Sequence, residues 1–154
     1  MTAGHRNPWI VLVIVCMAQF MVILDATIVN VALPSIQADL GMSEADLQWV
    51  VNAYALTFGG FLLLGGRAGD LAGRKLVFLT GVVIFSSASL ACGISPTSEF
   101  LIVFRGVQGL GAALIAPAAL SIITTTFAEG QERTKAMGVW AAIAVGGGAV
   151  GLVL

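Results

Sequence analysis

The 154-residue sequence has few charged side chains: lysine, arginine, aspartate and glutamate make up 10% of it, and histidine occurs once. A soluble domain has roughly a quarter of its residues charged, so this fraction excludes an ordinary soluble enzyme or nucleic-acid-binding module. The two cysteines, Cys16 and Cys92, lie in apolar stretches and do not predict a disulfide-stapled secreted domain. No clustered set of histidine, cysteine or carboxylate residues points to a metal site or nucleophilic chemistry, so we expect no enzyme activity, metal or cofactor.

Hydrophobic residues are abundant instead: they form 58% of the chain, and the mean hydropathy is +1.01. A membrane-spanning helix needs roughly 20 apolar residues, and five stretches reach or approach that length. These stretches are nearly continuous, without the alternation of barrel strands, which favours helices. The sequence therefore predicts an all-α membrane protein with about five transmembrane helices, at residues 9–33, 47–66, 76–95, 100–128 and 137–154.

The basic residues predict the orientation in the bilayer. All those outside the spans fall on one side: Arg6, Arg67, Arg74, Lys75, Arg133 and Lys135. The connections 34–46 and 96–99, on the other side, carry only acidic charges. By the positive-inside rule we expect a multi-pass protein of the cytoplasmic membrane with a cytoplasmic N-terminus.

The fifth stretch runs to Leu154 without a charge, an aromatic anchor or a cap. We therefore expect a fragment truncated in its fifth helix, rather than a complete protein. Two alternatives stay open: a small complete membrane protein that acts as an oligomeric transporter, and a non-transporting membrane subunit or remnant.

Two charged residues lie inside the predicted spans. Asp25 is eight residues before Leu33 and Arg105 is five residues after Phe100, which places them roughly 12 Å and 8 Å below the outer ends of their helices. A charge at such depth costs about 2.5 kcal/mol or more, so it is usually retained for a function. Both residues lie in the outer half of the membrane and can face one cavity between helices.

The pair suggests a proton-responsive site. An intramembrane carboxylate can exchange a proton for a cation, whereas a guanidinium keeps its proton and biases its neighbours. Gln108 lies one turn beyond Arg105 on the same helix face and adds an uncharged donor and acceptor. The alternative is a structural ion pair without a transport role, which ranks second because apolar packing is often no less stable.

Small residues predict close helix packing. Glycine occurs 19 times, and the pairs Gly109 and Gly111, and Gly147 and Gly151, give two helices smooth faces. The segment 67–75 is glycine-rich and densely charged, and we expect a cytoplasmic loop there. If its turn is helical, Asp70 and Arg74 share a face and can form a breakable pair.

Three segments resemble signatures of the major facilitator superfamily, and more narrowly of its fourteen-helix drug/proton antiporters. Residues 24–34 (LDATIVNVALP) resemble the helix-one signature of that subgroup, with Asp25 at the acidic position. Residues 66–75 (GRAGDLAGRK) resemble the signature between helices two and three, except for Leu71, where arginine is common. Residues 105–113 (RGVQGLGAA) match the helix-four signature. The helix-five signature is partly present, with Leu152 where proline is usual.

The resemblance implies part of an N-terminal helical bundle of a proton-coupled multidrug efflux antiporter. It implies a small amphipathic or cationic drug-like substrate, protons as coupling ions, and partner helices that lie beyond this sequence in the same transporter. It implies that Arg105 takes part in proton coupling, and we expect Asp25 and Gln108 to act with it. The expected cytoplasmic gate consists of Gly66, Asp70, Gly73, Arg74 and Lys75. The expected substrate cavity includes Asn30, Trp49 and Tyr54.

Overall fold

The computed structural model describes residues 7–153. Within them lie five helices, each long and apolar enough to cross a membrane: α1 (Pro8–Leu40), α2 (Glu44–Ala72), α3 (Arg74–Gly93), α4 (Ser98–Thr126) and α5 (Gln131–Val153). The predicted all-α membrane architecture with about five spans is confirmed. Arg6 and Leu154, which entered the predictions of orientation and of the last span, lie outside the described residues.

The helices extend beyond the apolar stretches that predicted them. The first stretch ends at Leu33, but α1 continues through Pro34 to Leu40 and ends at Gly41, whose φ of 60° is left-handed. The fifth helix begins at Gln131 instead of residue 137. Hydropathy marks where apolar side chains end, whereas backbone hydrogen bonding continues until a capping residue stops it.

The prediction of a loop at residues 67–75 is wrong, because most of these residues are helical. Only Gly73 separates α2 from α3, and its φ of 100° is a backbone conformation that favours glycine. At the opposite ends, the hydroxyls of Ser43 and Thr97 accept backbone hydrogen bonds and start α2 and α4. The connections are short, so consecutive helices run in opposite directions.

The fourth helix occupies the centre of the bundle. It packs most extensively against α2 and α3, while α1 packs against α5 and also contacts α4. Half of the most apolar stretch of α4 is buried, and Ala112, Ala113 and Ile115 are inaccessible. On the outside, large apolar side chains such as Leu63 and Leu90 are exposed, as expected for a surface that faces lipid.

The charges are sorted by the ends of the helices. The basic residues lie near the α2–α3 and α4–α5 connections, the end at which α1 begins: Arg67, Arg74, Lys75, Arg133 and Lys135. The acidic residues Asp39, Glu44, Asp46 and Glu99 lie around the α1–α2 and α3–α4 connections at the other end. Every described charge outside the spans except Asp70, Glu129 and Glu132 follows this division.

Candidate functional site

Asp25 and Arg105 form an ion pair inside the bundle. Nη1 of Arg105 donates to Oδ2 of Asp25 over 2.6 Å, and the two side chains are 4% and 18% exposed, respectively. The contact joins α1 to α4. The sequence alone did not show that these two helices touch. The structure therefore brings together the two charged residues that the sequence placed at similar depth in the membrane.

Arg105 is held by three further contacts. Its Nη1 also donates to Oε1 of Gln108 over 2.8 Å, and its Nε donates to the carbonyl oxygen of Val50 over 3.3 Å. Its guanidinium carbon lies 4.5 Å from the centre of the Tyr54 ring, a cation–π contact. The guanidinium is thus fixed by α2 and α4 independently of the carboxylate on α1.

The ion pair borders a cavity of about 370 Å³ that is lined mainly by α1, α3 and α4, with Val50 of α2. Gln108 and Cys92 line it next to the pair, and Cys92 Sγ lies 3.8 Å from Oε1 of Gln108. Its wall continues along α1 and α3 to the ends of these helices, where Asp39 and Ser95 contribute. The cavity therefore connects the pair to the acidic end of the bundle.

Of the three predicted cavity residues, only Tyr54 reaches this site, and it does so beneath the guanidinium instead of in the cavity wall. Asn30 is exposed, and its amide bonds to the carbonyl of Ala26 on its own helix. Trp49 is 51% exposed on α2. Asn30 and Trp49 thus lie outside the cavity beside the ion pair, and their place in a substrate cavity of the longer transporter stays a prediction.

The predicted packing glycines of α4 lie where helix backbones approach each other. A Cβ at Gly109 would strike the carbonyl oxygen of Tyr54 and the hydroxyl of Thr57 on α2. A Cβ at Gly111 would lie 2.7 Å from the backbone nitrogen of Phe85 on α3. Only glycine permits these approaches, and they bring α2 and α3 close to the helix that carries Arg105.

The glycines of α5 serve the contact with α1. A Cβ at Gly147 would lie 3.1 Å from Cγ2 of Ile23, and one at Gly151 would collide with the side chain of Thr27. These contacts lie one turn or less from Asp25 along α1. The two predicted glycine faces thus lie at helix contacts. The face on α4 packs against α2 and α3, and the face on α5 packs against α1 beside Asp25.

The predicted gate residues lie at the basic end of the bundle, away from the cavity. Gly66 and Asp70 belong to α2, Gly73 separates the helices, and Arg74 and Lys75 begin α3. The expected pair between Asp70 and Arg74 is not formed in the described part of the chain, where Arg74 Nε donates to the Ser121 hydroxyl. The break at Gly73 interrupts the helical spacing on which that prediction depended.

Sequence reasoning missed the contribution of α3. Cys92 borders the cavity, but a thiol in an apolar stretch resembles any small hydrophobic residue. Asp39 was assigned only to an external connection, although it lies at the mouth of the cavity. No sequence signal indicates which face of α3 meets α4. Across residues 7–153, no group of three or more histidine, cysteine or carboxylate side chains is placed to hold a metal ion.

Comparison with known proteins identifies a family. The family profile described as Major Facilitator Superfamily matches residues 15–154. The chain is 52% identical over 144 residues to the puromycin resistance protein pur8 of Streptomyces alboniger, an alignment that covers 94% of this chain and 29% of the relative.

Two other relatives carry names that refer to export or resistance. The cephamycin export protein CmcT of Amycolatopsis lactamdurans is 48% identical over 143 residues, covering 93% of this chain and 29% of the relative. The methyl viologen resistance protein SmvA of Salmonella typhimurium is 41% identical over 145 residues, covering 94% and 29%. The chain thus spans less than a third of the length of these curated relatives.

Proposed function

The chain belongs to the major facilitator superfamily, and we propose that it forms five membrane spans of a longer, proton-coupled exporter of cationic drug-like molecules. The observation that carries this proposal is the ion pair of Asp25 and Arg105, which borders a cavity inside a membrane bundle. An ion pair kept only for stability is often no better than apolar packing of the same volume, which favours a functional role for this one. A carboxylate in such a cavity can accept either a proton or a cation.

The contacts of Arg105 support a coupling mechanism. When a proton binds Asp25, the carboxylate loses its charge, but Gln108, Val50 and Tyr54 still hold the guanidinium in place. The cavity then contains an uncompensated positive charge, which repels a cationic substrate. Loss of the proton restores the carboxylate and makes the cavity favourable for a cation. Proton binding and substrate binding are therefore mutually exclusive.

The position of the cavity supports proton entry from outside. Its mouth lies at the acidic end of the bundle, near Asp39, and the basic connections lie at the opposite end. By the positive-inside rule the basic end is cytoplasmic, as is the start of α1. In this conformation protons reach Asp25 from the outer face, and substrate leaves by the same route.

The basic end supplies the proposed cytoplasmic gate. Asp70, Arg74 and Lys75 are exposed there, and Arg74 links α3 to Ser121 of α4. We assign these residues contacts with helices of a longer protein, where rocking of two bundles would break and remake them. The lipid bilayer, those further helices and the transported cation are then the partners, and protons are the coupling ions.

A transport assay tests the proposal. The complete reading frame that contains these residues is expressed, and inside-out vesicles are energised so that their lumen, which corresponds to the outer face, is acidic. Puromycin or methyl viologen is added, since relatives are named for resistance to these compounds. We expect each exported cation to dissipate the gradient. No proton movement with either compound, or with a wider set of organic cations, contradicts proton-coupled export.

Two further results separate the alternatives. A reading frame that continues beyond Leu154 with additional spans supports a longer transporter, whereas a stop codon there favours the small oligomer or the remnant. The variant Asp25→Asn should abolish gradient dissipation while Glu129→Gln, in an exposed pair at the other end of the bundle, should leave it unchanged. Equal transport by both variants removes Asp25 from the mechanism.

A further inference from the structure

Gln108 carries a buried hydrogen-bond donor without a partner. The residue is 1% exposed, and its Nε2 forms no hydrogen bond with the described residues. The orientation of the amide is set by Arg105, because Nη1 is a donor and requires the oxygen Oε1 at 2.8 Å. Exchanging the nitrogen and oxygen of the amide would place two donors against each other. The free group is therefore the NH2 group.

A buried donor left unpaired is costly, so such groups usually meet a partner that is absent from the protein itself. Gln108 lines the cavity beside the ion pair. Nε2 itself is buried, so an acceptor oxygen on a molecule in the cavity would complete its hydrogen bonding once the end of the side chain turns toward that molecule. The amide can thus bind an acceptor oxygen of a ligand, next to the position where the Asp25 carboxylate can bind a cation.

The two places are close together. Oδ2 of Asp25 and Oε1 of Gln108 both accept from the same nitrogen, Nη1 of Arg105. They lie within two hydrogen-bond lengths of each other. The cavity volume of about 370 Å³ falls in the range of small-molecule sites. One small molecule can therefore contact both residues.

We propose that the cavity selects cations that also carry a hydrogen-bond acceptor oxygen, with Nε2 of Gln108 as the donor that recognises it. This inference rests on the proposed export function. It gives Gln108 a role in substrate choice, separate from the proton coupling that we expect from its position beside Arg105. Arg105 positions the amide through Oε1, and the opposite side of the amide contacts the substrate.

A matched pair of cations tests the proposal. The probes are para-acetyl-N,N,N-trimethylanilinium, which has a ketone oxygen, and its para-isopropenyl analogue, in which a methylene group replaces that oxygen. Both are planar at this position and carry the same charge. The full-length protein is reconstituted in lipid nanodiscs, and dissociation constants are measured by calorimetry. We expect the wild type to bind the ketone roughly fivefold more tightly.

Two variants of Gln108 distinguish recognition from support of Arg105. Gln108→Met removes the donor and the acceptor, and Gln108→Glu keeps an acceptor for Nη1 of Arg105 but removes the donor. Both should lose the preference for the ketone. The control is Gln19→Met, because Gln19 is also a buried amide with an unpaired atom but does not line the cavity. It should keep the preference.

Several results would overturn the inference. These are equal affinities in the wild type, no binding of either probe, a preference that survives in Gln108→Met, and a preference that Gln108→Glu retains. The first result would mean that water or nothing specific occupies the place beside Nε2. The export assay is separate: binding preference without proton-coupled export contradicts only the proposed function, and export without preference contradicts only this inference.

Discussion

Arg105 and Asp25 are 80 positions apart in the chain, yet their side chains meet over 2.6 Å. The contact is the charged link between α1 and the group formed by α2, α3 and α4. Arg105 is 3% exposed and retains neutral partners on its own side of the contact. Each charge depends on the other to offset its removal from water.

Removal of the carboxylate alone should strongly destabilise the bundle. We expect Asp25→Ala to lower the free energy of unfolding by about 3–5 kcal/mol, because it leaves a buried guanidinium unpaired. The double variant Asp25→Ala with Arg105→Met should recover part of this loss. Denaturation of the purified protein in mixed micelles measures both values.

The exposed ion pair provides the control for this prediction. Glu129 is 90% exposed and lies 3.6 Å from Arg133, so Glu129→Ala should cost about 1 kcal/mol or less. Similar losses for Asp25→Ala and Glu129→Ala would show that water or lipid headgroups stabilise Arg105 in place of the carboxylate.

Two neighbouring glycines of α4 should respond differently to alanine. A Cβ at Gly109 would meet the backbone of Tyr54, which cannot move without shifting α2, so Gly109→Ala should cost about 1–3 kcal/mol. A Cβ at Gly106 would make an ordinary contact of 3.7 Å with Thr57. Gly106→Ala should therefore be neutral or slightly stabilising. Thermal unfolding of the two variants makes the comparison, and equal melting temperatures would contradict the close α2–α4 approach.

Arg133 should stabilise the end of α4. Its Nη2 donates to the carbonyl oxygen of Thr124 over 2.5 Å and its Nε to that of Phe127 over 3.1 Å. These are carbonyls that the helix itself leaves unpaired. Arg133→Met should lower the unfolding free energy by about 1–2 kcal/mol, whereas Lys135→Met, at an exposed position, should have little effect. Hydrogen exchange at residues 124–127, the end of α4 and its capping residue, reports the effect locally, and unchanged exchange there would contradict the capping role.

The number and type of the helices could be predicted from the sequence, because apolar length alone determines which segments can cross a membrane. The ends could not. Leu33 ends an apolar stretch, but α1 continues to Leu40, since a helix ends where its hydrogen bonding is capped. The segment around Gly73 was expected to be a loop for the same reason, although its charges lie within helices.

The site was predictable only in part. The cost of burying charge singled out Asp25 and Arg105, and the spacing of one helical turn placed Gln108 beside Arg105. Which helices touch depends on the packing of whole faces, so neither the ion pair nor Cys92 in the cavity wall followed from the sequence. The same limitation applies to Trp49, whose side chain lies outside the cavity.

The central claim is that a proton and a cation compete for Asp25, and proton release on cation binding tests it most directly. The purified full-length protein is placed in weakly buffered solution with a pH indicator dye and titrated with a transported cation. The titration is repeated at decreasing pH, and where Asp25 carries a proton before the cation binds, the account predicts release of up to about one proton per bound cation in the wild type. It predicts none in Asp25→Asn. Equal release by the two proteins, or cation binding by the wild type without proton release at every pH down to the acidic end of the series, would contradict the claim.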